Sequence, residues 1–176
     1  MIETPRLILR LWREADLAPF AAMSADPEVM RWLGGVLSLE GVRAYKDRAD
    51  KAFAELGMCR WVVERRDDGA FLGACGLMPG HEQAPIAPFI DIGWRLARPA
   101  WGGGYASEAA AAVLRHGFEQ LGIAEITAIT ASTNLRSRAV MERIGMRRDA
   151  ASDFDFPGYE PDDPLRATVV YRAIRP

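Results

Sequence analysis

The chain has 176 residues, a formal net charge of −2, 49% apolar residues and 26% charged ones, which is one domain's worth of polypeptide with enough apolar material for a buried core. The near-neutral balance excludes a basic field able to hold a phosphate backbone, so nucleic acid is not an expected partner. No uncharged apolar run approaches membrane-spanning length, so a membrane is not expected either.

In chain order, Arg6–Leu11 is apolar and compatible with a first strand. Asp26-Pro27-Glu28 supplies an N-cap, a proline at the first helical position and an acid in the first turn, predicting a short helix through Leu33. Ser38–Leu56 carries apolar residues at helical spacing (Leu39, Val42, Tyr45, Ala49, Ala52, Phe53) and Gly57 stops it. Arg60–Glu64 and Phe71–Leu77 read as strands joined by a hairpin turn at Asp67-Asp68-Gly69. After a proline-broken loop over 81–88, Phe89–Leu96 is a further strand. Ser107–Leu121 is the clearest helix, with Ala110, Val113, Leu114, Gly117, Phe118 and Leu121 on one face. A β-branched strand at Glu125–Ala131, a short helix at Asn134–Ile144 and a last strand at Ala167–Tyr171 complete the pattern. With no repeat, linker or low-complexity tract, the expected fold is a single α/β (α+β) domain over residues 1–176 with a mixed, largely antiparallel sheet.

Cys59 and Cys75 fall near or within predicted strands and form no CxxC pair, so neither a zinc site nor a disulfide is expected, and no metal is called for. The N-terminus lacks the basic-then-apolar pattern of a signal peptide, and a reducing cytoplasm is the expected compartment. His81 and His116 belong to no constellation.

The most informative stretch is Trp101-Gly102-Gly103-Gly104-Tyr105-Ala106-Ser107-Glu108-Ala109, where a strand stops, glycines follow and a helix is predicted to open at Ser107. Glycines let backbone N–H groups converge, and a helix N-terminus adds its positive dipole end, so the run suits a phosphate; a plain loop capped by Ser107 is the alternative. No Gly-Lys-Ser/Thr follows, so it is not a P-loop. Ser107 stands where a dinucleotide fingerprint needs its third glycine.

Ile92-Gly93-Trp94-Arg95-Leu96 followed by that glycine run resembles the acyl-CoA motif of the GNAT family of N-acetyltransferases, in particular the branch of ribosomal-protein N-terminal acetyltransferases. Asn134-Leu135-Arg136-Ser137, leading through Met141 to Gly145-Met146, is similar to the family's second motif, and Thr4–Arg10 is similar to the opening of this branch. The resemblance implies a sheet splayed after the 89–96 strand. Main-chain groups of Gly93, Trp94 and Leu96 would pair with the pantetheine arm of acetyl-CoA. Trp101 opens the phosphate motif, amides of Gly102, Gly103, Gly104, Tyr105, Ala106 and Ser107 would hold the pyrophosphate, and Asn134, with Ser137, would meet the cofactor nearer its thioester. Asn134 also fits a helix N-cap.

Acetyl transfer to an amine requires a neutral amine, a donor to the developing oxyanion and a proton route to the leaving thiolate. Asp91 corresponds to an acid often found on this strand in the resembling family, and alternation puts it on one face with Gly93 and Arg95. It is the candidate base, acting through water or by attracting a cationic amine; a salt-bridged strand aspartate is the other reading. Ser137 is the candidate proton donor, because Met141 stands where many relatives have tyrosine. A peptide α-amine is roughly a tenth neutral at pH 7 and a lysine below about a thousandth, so a weak base favours N-termini or similarly acidic small-molecule amines. The acidic, aromatic segment 149–164 is expected to border the acceptor pocket and draw in a cationic amine. The partners implied are acetyl-CoA and a primary amine, and a homodimer is compatible with the resembling family. A non-catalytic acyl-CoA-binding or sensory module is the alternative function.

Overall fold

The computed structural model describes residues 1–176. Nine strands form one sheet in the order β1-β2-β3-β4-β5-β6-β9-β7, with β8 also paired to β9. The strands are β1 (Ile2–Glu3), β2 (Leu7–Arg10), β3 (Arg60–Arg65), β4 (Phe71–Pro79), β5 (Ile90–Leu96), β6 (Glu125–Ala131), β7 (Arg147–Arg148), β8 (Phe154–Asp155) and β9 (Ala167–Ile174). The helices are α1 (Leu17–Ser24), α2 (Pro27–Met30), α3 (Leu39–Leu56), α4 (Tyr105–Glu119) and α5 (Leu135–Arg143). Every pairing is antiparallel except β5–β6, as the mixed, largely antiparallel pattern predicts.

Helices cover both faces. α4 lies on one of them because Gly117 has no side chain: a Cβ there would come within 2.7 Å of Ile126 Cδ1 and 2.9 Å of Leu77 Cδ1. Ile92, paired with Leu77, shares that face, and His116 of α4 meets Trp61 edge-on at 5.5 Å. On the opposite face α1 and α3 set Phe20 and Tyr45 4.7 Å apart, with Trp12 and Phe71 beside them. The fully buried Trp61, Tyr171, Phe20, Leu7, Leu9 and Met30 are the largest apolar residues of the core. Both cysteines are buried, and desolvation pushes their thiols up to about 12, which leaves them unreactive.

Several elements depart from the sequence expectation. Leu17–Ser24 is helical although Pro19 interrupts it in the sequence; the proline falls in the first turn, where its missing N–H has no intrahelical partner to lose. The helix after Asp26 stops at Met30 rather than Leu33, and the chain turns through Gly34 and Gly35 at φ 81° and 96°. α4 begins at Tyr105, not Ser107, because Gly104 adopts φ 79° and its carbonyl already accepts from the Glu108 N–H at 3.0 Å. Short β1, β7 and β8 pair at the sheet's edges with too few residues to leave a pattern in sequence.

One irregularity dominates. β5 pairs with β4 over all seven of its residues, Ile90 to Leu96. With β6 its register is a single pair, Asp91 with Thr127. β6 meanwhile pairs with β9 from Glu125 to Ala131. The two strands therefore meet at one end and part at the other.

Candidate active site

The parting strands leave a one-sided ladder. Across β4–β5 the Gly80 N–H donates to Phe89 O at 2.8 Å and the Ala97 N–H to Leu72 O at 2.8 Å. Antiparallel alternation then gives the main-chain bonds of Asp91, Gly93 and Arg95 to β4 and turns those of Ile92, Trp94 and Leu96 toward β6. Trp94 and Leu96 thus face the opening, whereas Gly93, expected beside them, is bonded on the other side. Trp101 Nε1 donates to Leu96 O at 2.8 Å, so that carbonyl already has a partner and the indole holds the start of the glycine turn against the strand end. Arg136 of α5 lies over the Trp101 ring at 4.7 Å.

The glycine turn enters α4 with Gly102 and Gly104 at φ 80° and 79°, conformations that strain any other residue. Asp26, Ser38 and Asn134 cap α2, α3 and α5 with their side chains, but α4 starts from a glycine with no side-chain cap. Its first-turn amides, Tyr105, Ala106 and Ser107 among them, face outward without a capping acceptor, at the positive end of a fifteen-residue helix. The turn is clamped from behind. Glu108 accepts from Thr4 Oγ1 at 2.6 Å, the Arg6 N–H at 3.0 Å and Arg6 Nε at 2.6 Å. Arg6 Nη1 donates to Gly103 O at 2.9 Å, and its guanidinium stacks on Tyr105 at 4.6 Å. Ser107 Oγ accepts from Arg143 of α5 at 3.0 Å.

On the far side of the opening, Asn134 is the N-cap of α5. Its Oδ1 accepts from the Ser137 N–H at 3.3 Å and its Nδ2 donates to Thr130 Oγ1 at 2.9 Å, seating the helix on the end of β6. One amide proton of Asn134 is left for a ligand. Ser137 lies in the first turn of α5, beyond the open end, while Asp91 sits where the strands still touch. No hydrogen bond joins the Asp91 and Ser137 side chains; Asp91 is bonded to Arg60. Met141 is buried in the core.

Asp91 is not a free carboxylate. Arg60 of β3 crosses the sheet, donating to Gly76 O and Asp91 O, and forms an ion pair with the Asp91 carboxylate. Gly93 makes this path available: a Cβ there would lie 2.9 Å from Arg60 Nη2. The two side chains are 15% and 19% exposed, so solvent reaches the pair. Burial pushes the Asp91 carboxyl above its ordinary value, against the pull of Arg60 and the Ile129 N–H. Arg60 carried no sequence signal as a lone strand arginine; the glycines opposite it, Gly76 and Gly93, were the available clue.

Arg95 shares the face of Asp91. Its guanidinium lies 5.1 Å from the Tyr45 ring and 5.6 Å from Phe20, yet Nε and Nη1 are cut off from solvent with no hydrogen-bond partner. Burial depresses its pKa; Tyr45 opposes that, and Arg60 and Arg48 add to it. Desolvating an ion costs several kcal/mol, of which stacking on aromatic rings returns about 2 kcal/mol.

Toward the closed end, Pro79, Pro88, Phe89, Ile90, Glu125, Thr127 and Arg172 line a hollow of about 420 Å³. Segment 149–164 approaches the same face: Phe156 meets His81 at 5.1 Å, Phe154 at 5.9 Å and Tyr159 at 5.9 Å. Of its six acids, expected to draw in a cationic amine, three are paired with arginines. Asp149 pairs with Arg172 at 2.8 Å, Asp155 with Arg166 at 3.0 Å, and Asp153 with Arg148. Glu160 and Asp162 are exposed and in no ion pair, so the segment presents both aromatic and acidic side chains.

A strand opening beside an uncapped helix N-terminus suits a ligand with both an amide-bearing arm and phosphates. The sequence family that matches is the acetyltransferase (GNAT) domain, over residues 6–147. The chain belongs to the GNAT acetyltransferase family. It is 33% identical over 144 residues to the uncharacterized protein YkkB of Bacillus subtilis, covering 81% of this chain and 83% of the relative. It is 27% identical to the uncharacterized N-acetyltransferase YoaA of B. subtilis, over 100% and 97% of the two chains. A GNAT-family acetyltransferase from Bacillus anthracis superposes with a TM-score of 0.81 at 25% identity, over 99% of this chain and 98% of the other. This GNAT domain is thus an acetyl-CoA-dependent N-acetyltransferase, and the non-catalytic alternative is set aside.

The clamp on the GNAT glycine turn has a pH signature. Burial alone would raise the Glu108 pKa, but the hydrogen bonds from Thr4 and Arg6 hold it below the ordinary glutamate value. A carboxylate depressed in the folded state contributes stability that is full above its unfolded pKa and lost as pH falls through the folded one. Glu108→Gln should therefore be less stable than wild type at pH 7, with the gap in denaturant midpoint closing below about pH 4. A gap that stays constant down to pH 2.5 contradicts this account of the clamp.

Proposed function

We propose that this chain transfers the acetyl group of acetyl-CoA to a primary amine by direct attack within a ternary complex. The observation that carries the reading is the β5 ladder, complete toward β4 and reduced to one pair toward β6. Main-chain groups of Trp94 and Leu96 pair with the amide-bearing pantetheine arm as an added strand would. The first-turn amides of α4, with those of Gly102–Gly104, take the pyrophosphate. Asn134, with its remaining amide proton, and Ser137 stand beside the arm on the α5 side.

The amine nitrogen attacks the thioester carbonyl carbon. A C–N bond forms, charge develops on the carbonyl oxygen, and the C–S bond breaks to release the CoA thiolate. A main-chain N–H of the β5 opening stabilises the oxygen. Asp91, on the same face as the approaching amine, accepts its proton through water; the raised carboxyl pKa brings it nearer the working range of a base. Ser137 acts at most as a hydrogen-bond relay to the thiolate. The acceptor class is a peptide N-terminus or a small-molecule amine of similar basicity, in keeping with the resemblance of Trp101–Ala109 to the ribosomal-protein N-terminal acetyltransferase branch and with a cytoplasmic setting. Acceptors enter past the aromatic residues of segment 149–164.

Thermal denaturation with acetyl-CoA, CoA, NADH and ATP tests the cradle. At a hundred times Kd, acetyl-CoA and CoA should each stabilise the fold by about 2.7 kcal/mol, a shift of a few degrees. A shift with NADH or ATP alone contradicts the reading. Asp91→Asn should keep the acetyl-CoA shift while lowering kcat by about a hundredfold or more; an unchanged kcat removes Asp91 from the chemistry.

A further inference from the structure

The acetyl-transfer reading leaves Arg95 without a task, and the geometry points to one: Arg95, flanked by the Tyr45 hydroxyl, is an anion subsite on the acceptor side, so the amine substrate carries a carboxylate. The proposal rests on the acetyl-transfer reading and narrows its substrate class to amino acids and related amino-carboxylates.

Two facts set Arg95 apart from a structural cation. Phe20 and Tyr45 lie together on one side of its guanidinium, 5.6 and 5.1 Å from it and 4.7 Å from each other. Nε and Nη1 have no acceptor within the protein, and each forms a fork with Nη2. The other arginines of the interior are matched: Arg10 holds Asp16 at 2.8 Å and Glu64 at 2.6 Å, and Arg60 holds Asp91. Arg60, Arg95 and Arg48 all lie close enough to Tyr45 to favour its ionised form, and Asp91 pairs with one of them, Arg60. The cluster is net positive in a low-dielectric setting, where a single carboxylate ligand would be bound through a bidentate fork.

Position assigns the anion to the acceptor rather than to acetyl-CoA. The uncapped amides of α4 adjoin the face that carries Leu77, Ile92 and Ile126. Arg95, Asp91 and Gly93 point to the opposite face, under α1 and α3, and Arg95 is on the stretch of β5 that β6 has left. The residue is not fully buried, and since Nε and Nη1 are closed to solvent, a ligand entering from the opening meets the remaining amino group, Nη2, first. An amine presented toward Asp91 and a carboxylate held at Arg95 would occupy one face of one strand, oriented by two charges of opposite sign.

The test is steady-state thiol release from acetyl-CoA by the full chain, with free amino acids, ω-amino acids, the primary amide of each, and diamines. The expected result is a kcat/KM for at least one carboxylate-bearing amine about tenfold or more above that of its own amide. In Arg95→Gln that preference should collapse to within about twofold, with the KM for acetyl-CoA unchanged. Arg95→Lys, which keeps the charge and loses the fork, should retain an intermediate preference. Amides or diamines used as well as the acids by wild type overturn the proposal, as does turnover of no carboxylate-bearing amine. A preference that survives Arg95→Gln overturns it too, and so does a KM for acetyl-CoA that rises with the substitution, which would place Arg95 on the cofactor. Absence of any acetyl-CoA thermal shift is a different failure, that of the acetyl-transfer reading itself.

Discussion

A β-strand in the middle of a sheet has main-chain donors and acceptors on both edges, and leaving one edge unpaired is costly unless solvent or a ligand supplies the partners. Here β5 is in that position from Ile92 onward. It is bound to β4 along its whole length and touches β6 only where Asp91 meets Thr127. The surrounding architecture prevents β6 from closing that gap. Seven paired residues tie β6 to β9, the Asn134–Thr130 bond fixes α5 onto its far end, and the Trp101 indole takes the Leu96 carbonyl. The opening is a property of the fold, held by bonds that do not depend on what fills it.

The two faces of β5 then divide the work. The face under α4 is apolar, with Ile92 and Leu96 buried, and leads to the glycine turn that Thr4, Arg6 and Glu108 hold from behind. The opposite face, under α1 and α3, carries Asp91 and Arg95 with Arg60 lying across the small residues between them. Alternation along a single strand thus separates the apolar face that leads to the α4 amides from the face that carries Asp91 and Arg95. Gly93 serves the second face, not the first. Its missing side chain is what lets Arg60 reach Asp91.

Much of this was legible in sequence where local chemistry decides structure. The long helices, the strands at 60–65, 71–79, 90–96 and 125–131, and the Asn134 cap follow from periodicity and capping residues whose signals are local. The glycine run with Glu108 and the Asn134-x-x-Ser137 spacing are legible because each needs only a short stretch of chain, and they fall at the starts of α4 and α5. What sequence could not give depends on partners far along the chain. Arg60 is 31 residues from Asp91, and Arg6 is 102 from Glu108. Asp149, Asp153 and Asp155 read as part of an attractive field because their arginines, 172, 148 and 166, meet them only after β7, β8 and β9 pair. Gly93 was assigned to the open edge because the register of β5 on β4, which alternation alone does not supply, decides which residues bond to which neighbour.

The central claim is that β5 and the start of α4 have main-chain groups reserved for acetyl-CoA, and residue-resolved amide hydrogen exchange measures this directly. Adding acetyl-CoA at saturation should slow exchange at Trp94, Leu96, Tyr105, Ala106 and Ser107 by about tenfold or more, and leave Gly93, already bonded to β4, nearly unchanged. Protection confined to other segments, or equal protection of Gly93 and Trp94, would contradict the account of a one-sided ladder completed by the cofactor.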